Sequence, residues 1–515
     1  MLLGKLQQYY LLKFSTLYKK IASNTIAQIV SKMLTALISI VLIGLLTKYL
    51  PMELYGSYNK VYSYLGIFAF LADLWLYTIA IREISAWHTA KEKIIGNIMT
   101  LRTILGLWIW VLAIFIALVL PGYHDTLTLI AIAIVGAFTL VSLINSSLLA
   151  LMQSQMKMEF SLVSLISGKL LNLGLIALAL LYIFQESSEV SFAFLSVFIA
   201  GFFGIVLNTF LNYWYLKKTI EIRYLFDWEY IAHIFKISLP YGLALFLSVV
   251  YFKVDVIILS LLESPEKADI SIALYGLPMK IIEVLMVLWG FYLNSLLPTL
   301  TEKYKNTDVK ALEHIFGLSL KVLLSFGFLI FLLGNLFASE VISIIATPDY
   351  LTPSNHLYSS LDAFRVVLAV LLFYFLSLCC IYMLIASERQ GILLWVNLAV
   401  TLINIIGNII FIPYFSFMGA AYITLVSQIF LLLCTGYIIL KDIKIPKIYI
   451  FSCIKTWFFG TLLFFLFYFI SFWKDWGDIL TLFIVAPMFL AMYIAMEYLF
   501  SKKLLKASNM FSALK

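Results

Sequence analysis

The sequence predicts an all-α polytopic membrane protein with about fourteen transmembrane helices, and three observations support this class. The 515-residue chain has a mean hydropathy of +1.03, and only 12% of its residues are charged, about half the charged fraction of soluble globular proteins. Apolar runs of about 20 residues recur along the chain, each long enough to cross roughly 30 Å of hydrocarbon. The polar linkers that would join several soluble domains are not seen in the sequence.

The apolar segments follow one another with short polar connections. The residues before them, 1–22, carry Lys5, Lys13, Lys19 and Lys20 and are interpreted as a cytoplasmic lead-in. The seventh and ninth segments are longer than the bilayer requires, which predicts tilted or extended helices. The predicted spans are 23–47, 55–81, 97–120, 127–152, 160–184, 191–216, 232–262, 271–299, 312–346, 360–386, 391–412, 419–440, 449–472 and 479–500.

The distribution of lysine and arginine predicts the orientation. Alternate connections, together with both chain ends, hold about 22 basic residues, whereas the connections on the other side hold about 3. Basic residues accumulate on the cytoplasmic side of membrane proteins. Both termini are therefore predicted to be cytoplasmic, which requires an even number of spans. The expected location is the cell inner (plasma) membrane.

A short motif recurs at the outer end of two predicted spans, as YGSYNK at 55–60 and YGLPMK at 275–280. The two copies lie six spans apart, so they have the same orientation in the membrane. Repeats of this kind are related by an axis along the membrane normal. The sequence thus predicts two pseudo-symmetric six-helix lobes, 23–223 and 224–440, followed by two further helices within 441–515.

Three stretches carry a distinctive order of motifs. They are residues 23–74, which begin SNTIAQIVSKMLTALISIV, residues 238–262, SLPYGLALFLSVVYFKVDVIILSLL, and residues 386–428, which contain NLAVTLINIIGNIIFIPYF and GAAYIT. These stretches resemble the polysaccharide transporters, the Wzx-type flippases of O-antigen and capsule units. The resemblance implies the fold of the multidrug/oligosaccharidyl-lipid/polysaccharide exporter superfamily, with two six-helix bundles around a central cavity that opens alternately to each side.

Several cations are predicted to lie within the hydrocarbon region, where an ionisable side chain indicates either a function or a partner. Lys32, Lys169 and Lys321 lie about nine residues inside their spans, too deep to reach the interface, so each lines a cavity or forms an internal pair. The remaining candidates lie nearer the outer face, where snorkelling or pairing is an alternative: Lys60, Lys280 and Arg365.

Few acidic residues accompany these cations. Asp73 lies towards the inner end of span 2, and Glu283 follows Lys280 by three positions, a spacing at which the two can pair on one helix face. The excess of deep lysines predicts a cationic cavity that attracts an anion. Asp73 and Glu283 are also the candidates for binding a coupling ion, H⁺ or Na⁺.

Neutral polar residues extend the predicted site. Asn404 and Asn408 share one face of span 11, and Asn145 and Asn172 lie mid-span in the first lobe. These amides form hydrogen bonds between helices or contact sugar hydroxyls of a substrate. Tyrosines near the YGxxxK motif are candidates for stacking on sugar rings, but the sequence does not single any of them out.

The leading functional hypothesis combines the resemblance with the cationic cavity. The protein is expected to move an undecaprenyl-pyrophosphate-linked oligosaccharide, an O-antigen or capsule repeat unit, from the inner to the outer leaflet. The lysines would meet the pyrophosphate, while the polyprenyl tail stays in lipid. The expected partners are this lipid-linked oligosaccharide, membrane lipids, and polysaccharide polymerase and chain-length proteins; the basic charge is not expected to bind nucleic acid.

Three other functions remain open at this stage. A lipid II flippase shares the span number and a basic cavity, and a cation-coupled drug exporter shares the fold but needs an acidic first lobe. A membrane enzyme is disfavoured, because the five histidines form no cluster and the external loops are short. No GxxxxGK[ST] motif occurs, so neither a nucleotide nor another cofactor is expected.

Overall fold

The computed structural model describes residues 28, 30–73, 76–86, 91–184, 189–218, 220–354, 357–470 and 477–512, and regular structure in these ranges is helical throughout. The predicted lead-in 1–22 and the start of the first predicted span lie outside the described residues. The helices are α1 Val30–Tyr49, α2 Met52–Asp73, α3 Leu76–Ala86, α4 Lys91–Val119, α5 Thr126–Ser154, α6 Met158–Leu178, α7 Val190–Leu216, α8 Trp228–Leu262, α9 Pro265–Lys305, α10 Val309–Leu336, α11 Ala338–Ile345, α12 Ser360–Ala386, α13 Gln390–Phe415, α14 Phe417–Asp442, α15 Lys447–Ile470, α16 Asp478–Leu480 and α17 Ala486–Ser512.

Twelve helical segments of the described chain are long and apolar enough to cross a membrane. One of them, Met52–Ile84, runs through α2 and α3. The predicted seventh and eighth spans form α8 and α9, uninterrupted helices of 35 and 41 residues, but neither is among the twelve. The multi-pass, all-helical class is therefore confirmed, whereas the predicted number of fourteen spans is not.

The first of two compact units comprises Met1–Leu50 and Ser57–Lys253. In this unit α4 packs on α5, α3 lies against both, and α7 contacts α5 and α6. The unit ends inside α8, about 30 residues beyond the predicted lobe boundary at residue 223. An apolar cluster joins α3, α4, α5 and α7 through aliphatic side chains that include Ile79, Ile95, Ile98, Leu148, Leu151 and Leu216.

The connection between α7 and α8 is an extended segment fixed to the first turns of α4. The backbone N–H of Asp227 donates to Asn97 Oδ1 at 2.7 Å, and the Asp227 carboxylate lies 2.6 Å from Lys93 Nζ. The hydrogen bond from Lys93 is the main cause that lowers the pKa of Asp227. Gly96 permits the close approach, since a Cβ there would lie 2.5 Å from the carbonyl oxygen of Arg223.

The second compact unit comprises Pro51–Gly56 and Val254–Lys515. Its central helix is α12, which packs against α9, α10 and α14, while α13 lies on α14 and α15 contacts α10 and α17. Apolar side chains of α10, α12, α15 and α17 form one continuous cluster that includes Phe328, Leu332, Leu372, Phe467, Phe489 and Tyr493. These contacts hold the last two long helices onto the rest of the unit.

The first copy of the YGxxxK repeat begins within this second unit. The Tyr55 ring is fully buried and meets Tyr350 edge-on, with the ring centroids 6.1 Å apart. A Cβ at Gly56 would lie 1.7 Å from the backbone oxygen of Asp269, so only glycine allows this approach. Tyr275, the equivalent tyrosine of the second copy, is likewise fully buried. Both tyrosines and the first glycine therefore serve helix packing.

Candidate functional site

The ionisable residues predicted inside the membrane separate into two groups, those held by a charged partner and those without one among the described residues. The first group contains an ion pair that sequence reasoning missed. Arg102 of α4 is fully buried, and its guanidinium lies 2.5 Å from a carboxylate oxygen of Asp73 at the end of α2. Arg102 also donates to Ser147 Oγ of α5 at 2.8 Å. Asp73, predicted as an ion-coupling candidate, thus has a fixed cationic partner.

A second buried pair decides between the two alternatives open for Lys321, a cavity wall or an internal pair. Lys321 on α10 is only 3% exposed, and its ammonium lies 2.8 Å from a carboxylate oxygen of Glu497 on α17. Thr456 of α15 lies between them, accepting a hydrogen bond from Lys321 and donating one to Glu497. Of the two alternatives open for Lys321, the structure adopts the internal pair, because an acid from a helix distant in sequence completes it.

The three cations predicted to lie nearer the outer face have different surroundings. Lys280 lies 3.0 Å from Glu283, one turn along α9, so the predicted pair forms. Lys60 is 4% exposed, with its ammonium 5.7 Å from the centre of the Tyr123 ring. The side chain of Arg365 is exposed on α12. Contact of these cations with a substrate stays a prediction.

Lys32 and Lys169 form the second group. Neither side chain makes a hydrogen bond or an ion pair with any part of the chain that the structure describes. They lie close enough to repel each other, and protein atoms desolvate both. Both nevertheless keep accessible surface, Lys32 as an exposed and Lys169 as a half-buried residue. This combination is typical of side chains on the wall of a cleft.

Two polar atoms without partners lie one turn from these lysines. Thr35 follows Lys32 by three positions on α1, and Asn172 follows Lys169 by three on α6, so each shares a helix face with its lysine. Thr35 Oγ1 and Asn172 Oδ1 are buried and make no hydrogen bond within the described residues. Buried polar atoms without a partner are costly and rare. Helices α1 and α6 thus carry two neighbouring cations and, one turn from each, a polar atom that makes no hydrogen bond within the described residues.

The other asparagines form hydrogen bonds between helices or along one helix. Asn145 of α5 accepts a 2.8 Å hydrogen bond from Asn212 of α7, and both residues are buried. Asn408 donates to Asn404 at 2.9 Å along α13, and Asn404 donates to Ser427 of α14 at 3.4 Å. Of the two alternatives weighed for these amides, the structure favours interhelical bonding for Asn145 and Asn404, whereas the Asn408 bond stays within α13. The side-chain oxygens of Asn172 and Asn408 are both buried without a hydrogen-bond partner among the described residues.

A glycine contact fixes the position of Lys169. A Cβ at Gly168 would lie 2.4 Å from the backbone oxygen of Gly204, and one at Gly204 would lie 2.7 Å from the backbone oxygen of Gly168. Small residues permit such close helix crossings in membranes. Because α6 rests on α7 through Gly168, the neighbouring Lys169 cannot occupy the contact and projects beside it.

Replacing Gly168 by alanine is expected to destabilise the protein by about 1–3 kcal/mol, since an overlap with backbone cannot be relieved by a rotamer change. Gly174→Ala is the matched control on the same helix, with no atom within 4 Å of the added Cβ. It is expected to be neutral or to stabilise by up to about 1 kcal/mol, because alanine favours helix more than glycine does. Thermal unfolding midpoints of the two purified variants measure the contrast, and equal midpoints would contradict the tight crossing.

Solved structures with the same fold are transporters and flippases. "Lipid II flippase MurJ, inward closed conformation" matches with a TM-score of 0.70 at 17% identity, covering 94% of this chain and all of that one. An inward-facing multidrug resistance MATE family transporter of the MOP superfamily matches with a TM-score of 0.63 at 14% identity, over 80% of this chain and 97% of the other. At these identities the likeness shows the fold.

A third structure is an MOP superfamily transporter from Pyrococcus furiosus, with a TM-score of 0.55 at 14% identity over 80% of this chain and 95% of that one. Its title states that the reverse polarity of its binding pocket suggests a different function. A search of curated proteins finds no match to this sequence. The family model described as "Polysaccharide biosynthesis protein" matches residues 21–304, which is more than half of the chain and contains Lys32 and Lys169. The protein therefore belongs to the polysaccharide biosynthesis protein family.

Proposed function

We propose that the protein is a flippase that carries a polyprenyl-diphosphate-linked oligosaccharide, an O-antigen or capsule repeat unit, from the inner to the outer leaflet of the cell inner membrane. The observation that carries this proposal is the pair Lys32 and Lys169, two neighbouring cations in the membrane without a carboxylate among the described residues. A diphosphate supplies the negative charge that such a pair attracts. The family assignment independently points to polysaccharide synthesis.

The chemistry of lysine suits a carrier that must release its load. Each ammonium is a flexible point charge with three donors, and a charge-assisted hydrogen bond contributes about 1.5–3 kcal/mol. Two such contacts orient a diphosphate without the rigid bidentate hydrogen bonding of an arginine side chain. The polyprenyl tail remains in lipid, so only the polar head needs a path through the protein.

We propose that transport proceeds by alternating access, with both chain termini cytoplasmic. H⁺ or Na⁺ is the proposed coupling ion, and a polymerase and chain-length proteins are the proposed partners of the released unit. Asp73 and Glu283 are weaker candidates for binding the ion than the sequence suggested. Asp73 is held by Arg102 and Glu283 by Lys280, so neither carboxylate is available without separating an ion pair.

Two alternatives share the fold. A drug exporter for cations would need an accessible acid in the first unit, yet the Asp73 carboxylate already has a cationic partner and Lys32 and Lys169 would repel the cargo. A lipid II flippase would also use a cationic site, because lipid II carries a diphosphate too. The match to a polysaccharide family favours the oligosaccharide over lipid II.

Deletion of the gene, followed by analysis of the leaflet in which lipid-linked glycan accumulates, tests this proposal. The expected result is accumulation of the lipid-linked repeat unit in the inner leaflet, with peptidoglycan synthesis continuing. Restoration by the wild-type gene but not by the Lys32→Met/Lys169→Met double variant would assign the effect to the cation pair. Accumulation of lipid II, or an unchanged glycan accompanied by drug sensitivity, would overturn the proposal in favour of the corresponding alternative.

A further inference from the structure

Three aromatic rings form a compact stack in the first unit. The centroids of Tyr58 and Tyr62, one turn apart on α2, are separated by 4.7 Å. Phe198 of α7 lies behind both, 5.6 Å from Tyr58 and 5.8 Å from Tyr62, nearly parallel to the latter with an interplanar angle of 25°. Phe198 is 1% exposed, whereas both tyrosines are half-buried and keep accessible surface. The phenylalanine fixes the two tyrosine rings, which present their remaining surface outside the core.

The depth of Tyr62 excludes an ordinary interfacial position. Tyr62 lies ten residues after Met52, the first residue of α2, or about 15 Å along the helix axis. Tyrosines that belong to the interfacial belt lie at the headgroup level instead. Within the described part of the chain, the Tyr62 hydroxyl makes no hydrogen bond, although the residue is only half-buried. A hydroxyl facing hydrocarbon without a partner is costly, so this group fits a wetted or ligand-filled space.

The Tyr62 hydroxyl contacts α7 close to the glycine crossing that adjoins Lys169. The Tyr62 oxygen lies 3.5 Å from the position that a Cβ at Gly201 would occupy. Gly204, three residues further along α7, is the glycine that contacts Gly168 beside Lys169. Positions i and i+3 share a helix face and differ by about 4.5 Å along the axis. The Tyr62 hydroxyl and the Gly168 crossing beside Lys169 thus lie against one face of α7, within about one turn of each other.

We infer that Tyr58 and Tyr62 form a stacking platform for a pyranose ring of the glycan that follows the diphosphate. This inference rests on the proposed function, and it names the site where the carbohydrate part of that substrate binds. The apolar C–H face of a pyranose packs on the aromatic surface, and the free Tyr62 hydroxyl exchanges hydrogen bonds with ring hydroxyls. Stacking requires one pyranose face that presents ring C–H groups and carries no axial hydroxyl, so the platform accepts any sugar that has such a face.

Binding of two probes to the full-length protein in lipid nanodiscs tests the platform. The probes are undecaprenyl diphosphate and undecaprenyl diphosphate that carries a single N-acetylglucosamine. The wild type is expected to bind the sugar-bearing probe about tenfold more tightly, the effect of one good aromatic contact. Tyr62→Leu is expected to remove most of this ratio, and Tyr62→Phe, which keeps the ring and loses the hydroxyl, is expected to retain part of it.

Two control variants separate the platform from the proposed function. Lys169→Met is expected to weaken both probes by a similar factor and to leave their ratio unchanged. Tyr182→Leu, at a 74% exposed tyrosine that follows α6, is expected to change neither affinity. An unchanged ratio in Tyr62→Leu would overturn the platform while leaving the flippase proposal intact. Failure of the wild type to bind either probe would overturn both.

Discussion

Replacing Asp73 by asparagine is expected to lower the stability of the protein by about 3–5 kcal/mol, the cost of leaving a buried charge without its counter-ion. The partner left behind is Arg102, whose side chain is fully buried and whose guanidinium does not lose its proton in proteins. The guanidinium of Arg102 therefore stays charged, and it has no access to water. Its hydrogen bond to Ser147 offers a dipole and no compensating charge.

The reverse substitution is expected to cost less. Arg102→Met leaves the Asp73 carboxylate, which is 23% exposed and can bind water or a proton. The double variant Asp73→Asn/Arg102→Met is expected to recover most of the stability that Asp73→Asn loses, because replacing both members of a buried pair removes the isolated charge.

Unfolding midpoints of the detergent-purified variants measure this order. Glu221→Gln is the control, since Glu221 and its partner Arg223 are both largely exposed and an exposed pair contributes little; no change in midpoint is expected there. If Asp73→Asn unfolded at the wild-type midpoint, Arg102 would have to be solvated, and the packing described for α2, α4 and α5 would be wrong.

The sequence allowed prediction of the features that depend on one helix at a time. Hydropathy and charge give the polytopic class, and the i, i+3 spacing predicts the Lys280–Glu283 pair that the structure contains. The motif repeat was interpreted through its lysines, whereas the structure buries Tyr55 and Tyr275 and uses Gly56 for a close backbone approach. Each of these signals is contained in a short segment.

Pairs between helices distant in sequence could not be predicted in the same way. Counting residues from the end of a span predicts the depth of a side chain in the membrane. It does not predict which neighbouring helix the side chain faces. Asp73 and Arg102 lie in consecutive predicted spans, towards the ends that are predicted to face the same side of the membrane, and this similar predicted depth is a sequence signal for the pair. Lys321 and Glu497 are 176 positions apart, and no local pattern connects them. Depth alone therefore grouped Lys321 with Lys32 and Lys169, which have different surroundings.

The same substitution at two of these lysines is expected to change stability in opposite directions. Lys169→Met removes a cation that repels Lys32 and has no carboxylate partner among the described residues, so it is expected to stabilise the unliganded protein by up to about 2–3 kcal/mol. Lys321→Met leaves Glu497, 16% exposed, without its counter-ion, so it is expected to destabilise by about 3 kcal/mol. Residues that bind ligands often lower stability in this way.

Transport is expected to show the reverse pattern. Lys169→Met should reduce flipping at least tenfold, the loss of about 1.4 kcal/mol of binding free energy, whereas Lys321→Met should leave the rate per folded molecule unchanged. Reconstituted vesicles give the rate, and unfolding midpoints of the same preparations give the stability. If removal of Lys169 increases stability and reduces transport, the ammonium of Lys169 contributes to binding the transported ligand and not to folding. If Lys169→Met destabilised the protein as Lys321→Met does, Lys169 would be a structural cation with a partner, and the diphosphate site would have to lie elsewhere.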